Sequence, residues 1–118
     1  MSYALLIIED PAQRPTRSRT EGEALYAEMT AFGASLQEKG QLKAAESLGS
    51  HEGAQRVRSG PPGRTQITDG PFAEAKEMIG GFFLLQNVNR DEAVAFAHQC
   101  PAAQWATVEV RALAPCFM

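Results

Sequence analysis

Hydrophobic positions along the chain fall into blocks of different period, and each period predicts an element. Tyr3-Ala4-Leu5-Leu6-Ile7-Ile8-Glu9 is apolar without alternation until Asp10-Pro11 punctuates it, which predicts a strand covered on both faces. Residues 12–19 carry Pro15 and three arginines with no apolar period and read as a solvated loop. Thr20 with Glu23 predicts a capping box, followed by Leu25, Met29, Phe32 and Leu36 at spacings of four, three and four. That is one stripe of a helix, ended by Gly40 after Lys39. Gly33 inside it costs helix stability and predicts close approach to a sheet. Leu42 to Leu48 is a strand, although Lys43-Ala44-Ala45-Glu46 would equally extend a helix.

The pattern then changes character. Gln55-Arg56-Val57-Arg58 alternates like an exposed strand, Ser59-Gly60-Pro61-Pro62-Gly63 is dense in turn residues, and Arg64 to Thr68 returns. Residues 54–69 therefore read as an inserted β-hairpin arm at the sheet edge. Asp69-Gly70-Pro71-Phe72 is a turn. Gly80-Gly81-Phe82-Phe83-Leu84-Leu85 is a second strand covered on both sides. Asn89 with Glu92 caps a short helix whose inner face is Ala93, Phe96 and Ala97 and which Pro101 closes, and Thr107 to Arg111 alternates as the last strand.

Without the arm, the order is strand, helix, strand, strand, helix, strand, the split βαβ pattern of an α+β, ferredoxin-like sheet with both helices on one face. Two helices cover one face only, yet the strands at Leu5 to Ile8 and Phe82 to Leu85 are apolar on both. A second copy is the simplest cover. The expectation is a symmetric homodimer whose sheets pack face to face into an α-β barrel, with ligand-sized pockets between sheet and loops.

Composition narrows this picture. At 118 residues the chain makes one domain, 1–118. A net charge of −3, with no nucleic-acid motif, argues against nucleic acid and anionic membranes as partners. The first apolar run is too short to span a bilayer. Two cysteines suit a reducing cytoplasm better than a disulfide-stapled secreted scaffold.

The run Thr68-Asp69-Gly70-Pro71-Phe72-Ala73-Glu74-Ala75-Lys76-Glu77, followed by Gly80-Gly81-Phe82 and preceded by the first strand Tyr3-Ala4-Leu5-Leu6-Ile7, resembles the DGPF branch of the YCII-related family across nearly the whole chain. The resemblance implies a dimeric α-β barrel of ferredoxin-like protomers. It also implies kinship to a dehydrochlorinase of aromatic degradation and to muconolactone isomerases, and, for the DGPF branch, association with extracytoplasmic-function sigma factors. YCII-like enzymes pair a histidine on the first helix with an aspartate. This helix has no histidine, its nearest polar candidates being Tyr26 and Glu28, so the dyad does not carry over.

Read as chemistry, Asp69, Glu74, Lys76 and Glu77 place three carboxylates and an amine within nine residues. A carboxylate beside an apolar pocket serves as acid or base near neutrality, and a neighbouring lysine steadies an enolate or carboxylate. Asp69 and Glu77 are thus the candidate acid/base groups and Lys76 their electrostatic partner. The bland alternative makes Asp69 a turn cap and the others structural ion pairs. Glu74, Phe72, Tyr26 and His51 are candidate ligand contacts, and Trp105, Phe72 and Phe82 offer aromatic lining or mere core packing. His98 suits a helix C-terminus, and the spacing of His98, Cys100 and Cys116 matches no zinc pattern, so no metal and no cofactor is expected. Arg14, Arg17 and Arg19 form one basic loop, and Arg56, Arg58 and Arg64 another. Two readings stand side by side. One is a small-molecule binder with cofactor-free acid/base chemistry on an organic acid or an aromatic or lactone-like ligand; the other is a non-catalytic accessory working with a sigma factor.

Overall fold

A computed structural model describes residues 1–118. Strand β1 (Tyr3–Glu9) leads through a loop with one 3₁₀ turn into helix α1 (Arg19–Glu38), and β2 (Leu42–Ser47) follows. The arm is β3 (Gln55–Arg58) and β4 (Gln66–Asp69); then come β5 (Met78–Leu85), α2 (Arg90–Gln99) and β6 (Thr107–Ala112). The main sheet is antiparallel in the order β2-β5-β1-β6. This order and the βαβ connections are those of a ferredoxin-like α+β fold. The arm is a separate two-stranded sheet and does not extend an edge of the main one.

Cross-strand pairs show which side chains share a face. Leu5 lies opposite Phe83 and Val110, and Ile7 opposite Gly81 and Val108; these face the helices, and the core joins Tyr3, Leu5, Ile7, Phe83 and Leu85 to Phe32, Leu36, Ala93 and Phe96. Leu6 lies opposite Phe82, and Ala4 opposite Leu84, on the face the helices leave open. There Leu6, Ile8, Phe82 and Leu84 are half-buried and Ile79 is exposed.

Helix α1 begins earlier than Thr20. Ser18 is its N-cap: its hydroxyl accepts from the Glu21 N–H, while the Glu21 carboxylate accepts from the Ser18 N–H. Glu23 accepts instead from Arg19 one turn away. The sequence carries two overlapping capping-box patterns, and only the earlier one forms, which adds hydrogen-bonded residues to the helix. At the other end the Gly40 N–H reaches the Gln37 carbonyl and the Gln41 N–H the Leu36 carbonyl, with Gly40 at φ 71°. This is a Schellman closure, which a left-handed glycine permits. At Gly33 an added Cβ would lie 3.3 Å from Phe83, the close approach expected from its place in the stripe. Asn89 and Glu92 form the capping box of α2. The ambiguous residues 42–47 become strand, because pairing with β5 satisfies their backbone groups.

The apolar stripe of α1 is covered unevenly. Phe32 and Leu36 are buried, whereas Leu25 and Met29 are only half-buried. The first half of the helix stands over a cleft.

Candidate functional site

Alternation along β1 points Tyr3, Leu5 and Ile7 towards the helices, and Glu9 continues that parity with a carboxylate. It is 3% exposed, a costly position for an unpaired charge. Arg14 pairs with it: Nε donates to Oε1 at 2.6 Å and Nη2 to Oε2 at 3.2 Å, while Nη1 donates to the Leu48 carbonyl at 2.9 Å. The guanidinium thereby straps the loop after β1 to the end of β2. Gly80 supplies the room. It is the extra residue of a bulge where the register of β1 and β5 shifts, and an added Cβ would fall 1.8 Å from Glu9 Oε2. Gly81 lies against the Glu46 carbonyl less tightly, at 2.9 Å from an added Cβ. The paired glycines that open β5 are thus explained by what lies against each of them.

Above this ion pair lies a cleft of about 610 Å³ between α1 and the sheet, within the size range of small-ligand sites. Ile7, Leu25, Met29, Phe83 and Trp105 give it apolar walls, and Tyr26 and Arg17 stand at its border. The Arg17 guanidinium carbon lies 4.8 Å from the centroid of the Trp105 ring, in the range of a cation–π contact. Glu21 lies at the same end of α1. Hydrogen bonds from Ser18 hold its carboxyl below the usual carboxylate range, and Arg17 adds a smaller push in the same direction. Behind the cleft, burial pushes the Cys100 thiol up, and its Sγ–H reaches Met29 Sδ at 3.9 Å.

The residues singled out in the sequence separate into three places. Tyr26 borders the cleft, as do Phe82 and Trp105. Lys76 and Glu77 line a shallower groove of about 480 Å³ that shares Glu9 and Trp105 with the cleft and adds Gln13 and Thr107. Asp69, Phe72 and His51 gather at the base of the arm. There Asp69 accepts from the Gln55 side-chain amide at 2.8 Å. The Arg56 guanidinium lies 3.7 Å from the centroid of Phe72, whose ring meets His51 edge-on at 5.7 Å. Gly70 fits beneath the His51 carbonyl, where a Cβ would come within 1.9 Å. Glu74 is exposed and lines neither cavity. The nine-residue cluster is therefore not one site: its ends lie at the arm base and at the groove.

Sequence reasoning missed Glu9 and the separate roles of Arg14 and Arg17. A readable signal exists in each case. Glu9 holds the buried parity of its strand, an arginine follows five residues later, and two adjacent glycines open the strand alongside.

A split βαβ protomer with a cleft between its first helix and its sheet defines the class. The chain belongs to the YCII-related family, whose domain it matches over residues 1–116. It is also 34% identical over 116 residues to an uncharacterised protein of Rhizobium meliloti (strain 1021), which covers 97% of this chain and 93% of that protein. No helix is long and apolar enough to cross a membrane.

Proposed function

We propose that the protein binds a small organic acid, with an aromatic or lactone-like body, in the cleft beneath α1 and carries out cofactor-free acid/base chemistry on it. The observation that carries this reading is the cleft: apolar walls, a cation at the border and a buried carboxylate on the floor, the combination that marks small-molecule sites. Glu9, held by Arg14, forms the floor of the cleft, and Glu77 with Lys76 in the adjoining groove are the proposed acid/base carboxylate and its cation. Asp69 is assigned to holding the arm.

In this reading the chain is a cytoplasmic homodimer of the DGPF branch, whose open sheet faces pack together into a barrel. The half-buried Leu6, Ile8, Phe82 and Leu84 on that face support the packing, and two unpaired thiols support the compartment. A thermal-shift screen of carboxylic acids, phenols and lactones tests the site, since a ligand of the native state raises its melting temperature. Hits are expected to vanish in Ala34→Trp, which narrows the cleft, and to persist in Asp69→Asn. Hits that survive Ala34→Trp would place binding elsewhere.

One observation favours the second reading, an accessory that works with an extracytoplasmic-function sigma factor. On the arm Val57 faces Ile67 across the ladder, and the two are 66% and 63% exposed. A sigma factor that co-elutes with the parent but not with Val57→Asp/Ile67→Asp would support that role; equal co-elution would remove the arm from it.

A further inference from the structure

We infer that the ligand of the cleft is an aromatic monocarboxylate and that Arg17, laid over Trp105, reads its charge. The inference rests on the cleft being the ligand site and goes further by naming the ligand class and the residue that selects it.

Three arginines border the cleft. Arg14 is used by both oxygens of Glu9 and by the Leu48 carbonyl. Arg19 is taken by Glu23 at 2.8 Å. Arg17 has no carboxylate within ion-pair distance and is half-buried. Glu21 feels its field but is occupied by the Ser18 cap. Glu46 also lines the cleft, but it is exposed and forms no ion pair with any arginine. With Glu9 neutralised by Arg14, the cleft is left with one uncommitted positive charge.

Geometry then decides what that charge receives. The Arg17 guanidinium sits over the indole with no carboxylate partner of its own, so its N–H groups are available to form a fork with a carboxylate. Beside it the Trp105 ring, Met29 and Phe83 offer flat, polarisable walls suited to an aromatic ring. Carboxylate on Arg17 and ring against these walls is the arrangement that satisfies both.

Trp105 is the single tryptophan, so its fluorescence reports occupancy directly. The probes are benzoate and its neutral isostere benzamide, titrated into the parent, Arg17→Ala and Arg17→Gln, with thermal shift as a second readout. Benzoate is expected to bind the parent roughly tenfold or more tighter than benzamide, the effect of one hydrogen-bonded charge. Both variants should bring benzoate down to the level of benzamide while leaving benzamide unchanged. Equal binding of the two probes by the parent, or undiminished benzoate binding by both variants, overturns the role of Arg17 and leaves the cleft standing. No response to either probe in the parent, by either readout, overturns the aromatic monocarboxylate, and hits from the wider screen then decide the cleft reading on their own.

Discussion

Glu9 in the body and Val57 on the arm are both strand residues, yet Glu9 is 3% exposed and Val57 66%. Around Glu9 every neighbour is committed: Arg14 holds both oxygens, and Gly80 has no Cβ because the carboxylate takes its space. Around Val57 nothing is committed beyond the ladder to β4, and all eight arm-strand residues are exposed. The radius of gyration is 16.2 Å, with extents of 49 × 41 × 18 Å, against roughly 13 to 14 Å for a compact chain of this length. A two-stranded ribbon is marginal by itself, and this one is clipped at its base by Phe72 between Arg56 and His51. The body draws its order from burial and the arm from local geometry. Substitutions in the two regions should therefore differ sharply in cost.

The largest effect is expected at the ion pair. Arg14→Ala leaves the Glu9 carboxylate buried without a partner and should cost about 3 to 5 kcal/mol, read as the midpoint of urea unfolding. Gly80→Ala forces a methyl onto Glu9 Oε2 and should cost a comparable amount, since both atoms are locked. The double change Glu9→Met/Arg14→Leu should recover much of the loss, because an apolar pair needs no charge compensation. If Arg14→Ala proves neutral, the pair is not what holds the loop over the cleft. Next comes Leu36→Ala at the fully buried end of the α1 stripe, expected to cost about 3 kcal/mol. Leu25→Ala, on the same stripe above the cleft, should cost less than half of that. Equal losses would mean that the first half of the helix is as tightly packed as the second.

The same contrast explains what the sequence disclosed. The αβ order, the arm, both glycine-ended or proline-ended helices and the double-faced strands follow from local period and punctuation, which act over a few residues. The site does not, because it depends on which loop residue reaches back to which strand. Arg14, Arg17 and Arg19 are alike in sequence, but in space one neutralises Glu9, one stacks on Trp105 and one pairs along the helix with Glu23. Asp69 to Glu77 looked like one cluster for the complementary reason. Neighbours in the chain are close along the backbone, but the turn at Gly70-Pro71 and the segment after it carry its two ends to different places.

A smaller, pH-dependent difference is expected at Cys100. Burial raises its thiol in the folded state above the ordinary value, so as pH climbs through roughly 9 the unfolded chain loses that proton first. The unfolded state then binds fewer protons than the folded one, and stability falls with rising pH by at most about 1.4 kcal/mol per unit. Cys100→Ala should remove that part of the slope and leave the profile below it parallel to the parent's. A slope that persists unchanged in the variant would assign it to other groups.

The smallest effect on the isolated fold is expected on the arm. Val57→Ser and Ile67→Thr keep the ladder hydrogen bonds and remove apolar atoms that already face water, so each should move the unfolding free energy by no more than about 0.5 kcal/mol. Measured at two protein concentrations a hundredfold apart, these variants sharpen the comparison. If the arm is free, parent and variants shift alike with concentration. If a partner copy covers Val57 and Ile67, the parent gains stability with concentration and the variants gain less, since only an assembled state rewards apolar area that the single chain leaves exposed. A loss of several kcal/mol at the lower concentration would break the comparison altogether, because it would mean that the arm is part of the fold and not an addition to it.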